Sequence, residues 1–115
     1  MPNQSTPIIS HFVALVKIRS LDNSPDFVEE IAQKIIHGLN LKVIKTVSHL
    51  FYPQGVTLAY ILSESHLVIH SWPEFSAIHL DLVTCSYYSL KEFEDAIKSA
   101  FPDNLDSVKI KSVDF

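Results

Sequence analysis

The amino-acid sequence predicts an α+β fold, a two-layer sandwich in which two helices cover one face of a mostly antiparallel sheet. Its 115 residues suffice for one modest core, so we expect residues 1–115 to form a single domain. Two segments repeat apolar residues every three to four positions, as amphipathic helices do, and the other apolar segments have the composition of strands. The order of strand, helix, several strands, helix and strand, with short connections, favours antiparallel pairing.

The N-terminal part of the chain predicts one strand and one helix. Residues Ile8–Ile18 are mostly apolar and β-branched, which favours a buried strand. Ser24 is a good N-cap, Pro25 suits the first helical position, and the helix is expected to end near Gly38. The apolar residues at helical spacing in this segment are Phe27, Val28, Ile31, Ile35 and Ile36.

The middle of the chain predicts four strands. Leu41–Tyr52 and Val56–Leu62 flank the turn Pro53–Gly55 and are expected to form a hairpin. Two further strands, His66–Trp72 and Ala77–Cys85, follow across a second turn that contains proline. In the last strand apolar residues alternate with more polar ones, so one face is expected to pack and the other to carry chemistry.

The C-terminal part predicts a second helix and a last strand. Ser89 and Glu92 form a capping-box pattern at the start of the helix, and Pro102 is expected to stop it. The last strand is predicted from about Leu105 to Val113. With both helices on one face, the other face of the sheet stays partly open, and a second subunit commonly covers such a face. We therefore expect a homodimer.

The charge and hydropathy patterns argue against several classes of partner. The net charge of −4 is spread without long runs, which predicts no nucleic-acid or anionic-membrane partner. No apolar run approaches the roughly 18 residues of a membrane span, and the N-terminus lacks a secretory-signal pattern. The single cysteine, Cys85, cannot form an internal disulfide, which agrees with a reducing compartment. We expect a cytoplasmic protein.

Residues with reactive side chains are concentrated between Glu64 and Cys85. Taken singly, Ser65, His70 and Cys85 are more often structural residues than catalytic ones. A serine–histidine hydrolase would carry a G-x-S-x-G elbow, which Ser65 lacks. The histidine spacing matches no common zinc pattern, so no metal is expected. The whole set is Glu64, Ser65, His66, His70, Trp72, Glu74, His79, Asp81 and Cys85.

Three motifs within this part of the chain resemble those of the prokaryotic S-adenosylmethionine decarboxylase family. Residues 62–74, LSESHLVIHSWPE, are similar to the processing site of that family. Residues 51–57, FYPQGVT, resemble the turn that precedes this site, and residues 81–85, DLVTC, resemble its Asp-x-x-Thr-Cys segment at matching spacing. The likeness extends over nearly the whole chain.

The resemblance implies a proenzyme that cleaves itself between Glu64 and Ser65. Ser65 would become a covalent pyruvoyl group, leaving a β chain of residues 1–64 and an α chain of residues 65–115. His70 would act as the base in processing, and the Thr57 hydroxyl would assist. Cys85 would be the proton donor during decarboxylation.

The resemblance also implies a substrate site and a product. Phe51 would stack on adenine, Glu74 would accept the ribose hydroxyls, and Trp72 would line the pocket, although Phe51 and Trp72 could equally be core residues. The product, decarboxylated S-adenosylmethionine, would serve spermidine biosynthesis.

Departures from the family pattern leave other activities open. Leu58 and Ser86 stand where the family has glycine, and residues 75–79, FSAIH, differ from its aromatic and small residues. A pyruvoyl-dependent ornithine or arginine decarboxylase of the same family is one alternative, and Asp81 could serve either kind of substrate. An unprocessed, non-catalytic subunit is another.

Overall fold

A computed structural model of the protein describes residues 6–19, 24–101 and 105–115. The described residues form one six-stranded sheet with the strand order β2-β3-β4-β5-β1-β6, and all neighbouring strands are antiparallel. The predicted α+β sandwich is therefore confirmed. The elements are β1 (Ser10–Ile18), α1 (Pro25–Gly38), β2 (Val43–Leu50), β3 (Val56–Leu62), β4 (Ser65–Trp72), β5 (Ala77–Thr84), α2 (Leu90–Ala100) and β6 (Leu105–Ser112).

Several strands are shorter than predicted. The β1 ladder begins at Ser10, which pairs with Thr84, so Ile8 and Ile9 precede the ladder. Cys85 likewise follows β5 instead of ending it. The second strand covers Val43–Leu50 because the chain turns at residues 51–55, and the last strand ends at Ser112 rather than Val113. The predicted stop at Pro102 lies outside the described residues.

The hairpin turn between β2 and β3 is closed by its own backbone. The Phe51 N–H donates to the Gly55 carbonyl at 2.9 Å. Gly55 has φ +104°, and a Cβ there would lie 3.2 Å from the Ser71 carbonyl oxygen, so a glycine fits this position best. Ser71 Oγ accepts from the Val56 N–H at 3.0 Å, which ties the turn to β4.

The two helices cover one face of the sheet and close the core there. Ser24 caps α1 by accepting from the Asp26 N–H, and Ser89 and Glu92 form both bonds of the capping box on α2, as predicted. Phe93 of α2 is fully buried and stacks on Phe12 of β1, with ring centroids 5.1 Å apart. No helix among the described residues is long and apolar enough to cross a membrane.

The other face of the sheet, here called the open face, is left uncovered by the helices. Strand alternation places the more polar residues of β3, β4, β5 and β1 on it. Large apolar side chains on this face are 41–53% exposed, and they are Leu15, Val47, Ile61 and Trp72. Its polar residues include His11, His49, Thr57, His66, His70, His79 and Asp81.

Candidate active site

The residues to which the family resemblance assigns a role fall into two groups on the sheet. The first group, here called the processing junction, comprises Glu64, Ser65 and Cys85, where the turn between β3 and β4 meets the end of β5. The second group, here called the histidine cleft, lies at the opposite end of β4. Its predicted members are Phe51, Thr57, His70, Trp72 and Glu74.

The processing junction combines a strained serine with a polarised carbonyl. Ser65 has φ 145°, a region that residues with a Cβ rarely adopt and that stores strain in the backbone. The Glu64 carbonyl oxygen accepts a hydrogen bond of 2.7 Å from the Cys85 N–H. A donor at that oxygen stabilises the negative charge that develops when a nucleophile attacks the carbonyl carbon. A carbonyl group that accepts such a bond is more open to attack by a nucleophile than one without a donor.

Cys85 is exposed, so it is not a residue of the core. The segment that carries it is fixed by hydroxyl groups on both sides. Thr84, which is fully buried, and Ser10 each donate to the Ser86 carbonyl oxygen at 2.8 Å. The backbone around Cys85 is therefore held in place while its thiol stays accessible.

His70 is held by a hydroxyl group on the neighbouring strand. Thr57 pairs with His70 in the β3–β4 register, and Thr57 Oγ1 lies 2.8 Å from His70 Nδ1. When Nδ1 carries the proton and donates it to Thr57, Nε2 has the lone pair that accepts a proton. Burial lowers the pKa of His70 below its ordinary value, the neighbouring His79 lowers it further, and Asp81 opposes both. A lowered pKa favours the neutral ring that a base requires.

The histidine cleft has a volume of about 400 Å³ and contains all three predicted substrate-binding side chains. Phe51 is 51% exposed and Trp72 is 41% exposed, so neither is a core residue. The Trp72 ring lies 5.7 Å from the His70 ring, and Glu74 follows on the turn after β4. Aromatic faces beside a carboxylate suit a ligand that has both a flat ring and hydroxyl or amino groups.

The processing junction and the histidine cleft do not meet within one chain. Ser65 is the first residue of β4 and His70 is five residues further along the same strand. At about 3.3 Å per residue this separates their Cα atoms by about 16 Å, more than an imidazole side chain spans. Ser65 also shares its register with Leu62 and Thr84 on the helix-covered face, whereas His70 lies on the open face.

The contacts of Asp81 with two histidines were not predicted from the sequence. Asp81 accepts a hydrogen bond from His11 Nε2 at 2.7 Å, and its other oxygen lies 3.4 Å from His66 Nε2. Alternation in the first strand could have placed His11 on the open face, but only the pairing of β1 with β5 brings it to Asp81. His49 was missed in the same way, and it packs edge-on against Phe51 with ring centroids 4.6 Å apart.

The departures from the family pattern occupy different environments. Leu58 is buried in the core on the helix-covered face, so its side chain does not narrow the cleft. Ser76 adopts a left-handed conformation with φ 49°, which a glycine would adopt at less cost. His79, in contrast, lies on the open face directly opposite His70. Among residues 6–19, 24–101 and 105–115, no three potential ligand side chains are grouped to hold a metal ion.

Comparison with known proteins identifies relatives of this chain. The sequence profile described as S-adenosylmethionine decarboxylase matches residues 15–114. The S-adenosylmethionine decarboxylase proenzyme of Methanococcus vannielii is 32% identical over 98 residues, which cover 81% of this chain and 77% of that protein. The proenzyme of Clostridium botulinum strain Hall is 41% identical over 66 residues, which cover 57% of this chain but only 56% of the relative.

A solved structure has the same fold. The crystal structure of the adenosylmethionine decarboxylase from Aquifex aeolicus superposes with a TM-score of 0.79 and covers 95% of this chain and 91% of that chain. Its sequence identity is 22%, so this likeness supports the α+β architecture and not a shared substrate.

Proposed function

Since the chain belongs to the S-adenosylmethionine decarboxylase family, as its motifs predicted, we propose that it decarboxylates S-adenosylmethionine with a pyruvoyl group made from its own Ser65. The observation that carries this proposal is the processing junction. There the strained Ser65 follows a carbonyl group that already accepts the Cys85 N–H at 2.7 Å. The product would be the aminopropyl donor for spermidine.

Self-cleavage begins with attack of Ser65 Oγ on the Glu64 carbonyl carbon. The peptide C–N bond breaks, an ester replaces it, and the hydroxyl proton passes to the Ser65 amine that is freed. The Cys85 N–H stabilises the oxyanion formed on the way. A base, assigned to His70, then removes the Ser65 Cα proton. Elimination releases residues 1–64 with a carboxylate at Glu64, and the dehydroalanine left at position 65 takes up water and loses ammonia to become pyruvoyl.

The residues at the processing junction fit such a group. A pyruvoyl group at position 65 would supply a ketone that can hold the amine of a substrate and a sink for the electron pair released when CO₂ leaves. The Cys85 thiol is exposed, and the N–H of the same residue donates to the Glu64 carbonyl oxygen. We assign this thiol as the donor of the proton that the substrate carbon takes up after CO₂ leaves. In the histidine cleft, Phe51 and Trp72 are assigned to the adenine ring and Glu74 to the ribose hydroxyls.

A homodimer of processed protomers would bring the two separated groups together, one from each chain. A two-fold interface is self-complementary, so residue i of one protomer meets residue j of its partner, and j meets i. A two-fold axis across the open face runs the β4 strands of the two chains in opposite directions, so the end of β4 that begins at Ser65 in one chain lies over the end that carries His70 in the other. The exposed apolar residues of the open face, such as Leu15, Val47 and Ile61, supply the surface that such an interface buries.

The substrate assignment is tested with three carboxyl-labelled compounds: S-adenosylmethionine, ornithine and arginine. The purified protein is expected to release labelled CO₂ from S-adenosylmethionine alone, and Ser65→Ala is expected to release none. Glu74→Gln is expected to raise KM for S-adenosylmethionine, because an amide oxygen accepts less strongly from the ribose hydroxyls than a carboxylate does. Release from ornithine or arginine instead would assign a basic amino acid as substrate. An uncut chain with no release would indicate a non-catalytic subunit.

A further inference from the structure

His79 stands beside the residue assigned as the base of processing. It pairs with His70 in the β4–β5 register, and the two imidazole centroids are 6.1 Å apart with their planes inclined by 37°. Thr57 holds the other side of His70 through Nδ1 at 2.8 Å. The His70 ring is therefore set between a hydroxyl group on β3 and a second imidazole on β5.

The charged and titratable groups around His70 come from all the strands of the open face and from the turn after β4. From β5, His79 lies opposite it and Asp81 lies one pair further along the open face, where His11 and His66 already contact its carboxylate. From β3, Thr57 contributes a neutral hydroxyl group. Glu74 on the turn after β4 shares the cleft with His70, and His49 on β2 lies opposite Thr57. The lysines of this face are Lys17, Lys45, Lys109 and Lys111, and the last two line a pocket together with His79.

We propose that His79 is a positioning residue for the processing reaction: its imidazole, held directly across the β4–β5 pair, keeps the His70 ring neutral and ready to take up a proton at Nε2. The proposal rests on the proposed self-cleavage at Ser65. It assigns a role to a side chain that stands among the departures from the family pattern. The physical basis is that two imidazolium ions about 6 Å apart repel each other, so a charge on one disfavours a charge on the other.

The direction of the effect agrees with the environment of His70. The His79 charge lowers the pKa of His70, in the same direction as burial does, and Asp81 acts against both. Without His79, His70 would bind a proton at higher pH and would lose its basic lone pair in mildly acidic conditions. A fixed positive charge at position 79 would have the opposite effect.

The first experiment measures the His70 ring directly. The Ser65→Ala chain stays uncut, so the titration of its His70 ring can be followed by NMR from about pH 5 to about pH 8, the range in which histidine titrates. His79→Gln is expected to move the midpoint to higher pH, and His79→Lys to lower pH. His37→Gln, which removes an exposed histidine at the end of α1, is the matched control and is expected to leave the midpoint in place.

The second experiment follows cleavage of freshly translated proenzyme over the same pH range. At the acid end of the range, His79→Gln is expected to slow cleavage roughly threefold, and His79→Lys is expected to accelerate it. The threefold effect is what the repulsion between two unit charges about 6 Å apart gives in a dielectric like that of water. A purely structural role of His79 would not give opposite shifts for the two variants. If wild type cleaves and both variants keep its pH profile, the role of His79 is refuted. If wild type does not cleave, the proposed function itself fails.

Discussion

Cys85 offers two chemically different groups to the site. Its backbone N–H bonds the Glu64 carbonyl oxygen at 2.7 Å, and its thiol is exposed. In the proposed mechanism the N–H serves self-cleavage and the thiol serves turnover. Because a substitution at this position changes only the thiol, the two steps can be separated with one variant.

Cys85→Ala is expected to cleave itself as wild type does, since alanine keeps the N–H donor. Loss of a general acid typically slows a reaction about 10²- to 10⁴-fold, so release of correctly protonated product is expected to fall by about a hundredfold or more. Intact-mass analysis measures the first step, and product analysis in deuterated buffer measures the second. A Cys85→Ala chain that cleaves and also turns over at the wild-type rate would remove the thiol from the mechanism.

At single residues, sequence reasoning was limited to side chains that carry a motif. Ser65, His70 and Cys85 were assigned from the family resemblance, and their roles stay predictions. The hydrogen bond from the Cys85 N–H to the Glu64 carbonyl oxygen could not be predicted, because the type of a residue does not show where its backbone N–H donates. The contact of Asp81 with His11 joins residues 70 positions apart and depends on which strands are neighbours.

Among the elements, α2 depends on a local signal that the sequence shows directly. Ser89 Oγ accepts from the Glu92 N–H at 3.1 Å, and the Glu92 carboxylate accepts from the Ser89 N–H at 2.9 Å. This capping box satisfies two donors that the first turn of a helix leaves free. Phe93 follows at once and is fully buried, so the start of α2 is coupled to the core.

Ser89→Ala is expected to lower the free energy of unfolding by about 1 kcal/mol, the usual cost of removing a serine N-cap. The change is measured by urea unfolding in the Ser65→Ala background, where the chain remains a single piece. Ser99→Ala, at an exposed position of the same helix, is the control, and it is expected to be neutral or slightly stabilising because alanine is the better helix former. Equal effects of the two substitutions would contradict the role of the cap.

The secondary structure was predictable because its signals are local. Helical spacing, caps and strand composition identified both helices and all six described strands, and alternation assigned the faces of β5. Strand order was not predictable. The first strand lies between β5 and β6, and composition does not show which edges will pair. Strand ends were also misplaced, because a ladder ends where its partner ends and not where apolar residues stop.

For the whole molecule, the main finding is that one chain carries both halves of the predicted site without joining them. The processing junction and the histidine cleft lie at opposite ends of β4. The spacing of the motifs did not predict this separation, because Ser65 and His70 are close in sequence. Only the extended geometry of a strand sets them apart.

Co-expression of Ser65→Ala with His70→Ala, each with its own tag, tests whether a partner completes the site. In a mixed dimer, the His70→Ala chain still has Ser65 in its processing junction. Its partner, the Ser65→Ala chain, still has His70 in its histidine cleft, so one complete site can form between the two chains. The His70→Ala chain is expected to be cut in the mixture and to remain uncut when expressed alone. Mixed dimers in which neither chain is cut would show that both groups must act within one protomer.

Self-cleavage at Ser65 is the claim on which the activity, the dimer site and the role of His79 depend. The most direct test is an intact-mass spectrum of the purified protein beside its Ser65→Ala variant. Wild type is expected to give two chains, residues 1–64 and residues 65–115, the second with a blocked N-terminus that lacks the serine amine. The variant is expected to give one uncut chain. A single uncut mass for wild type, or cleavage that persists in Ser65→Ala, would contradict the account.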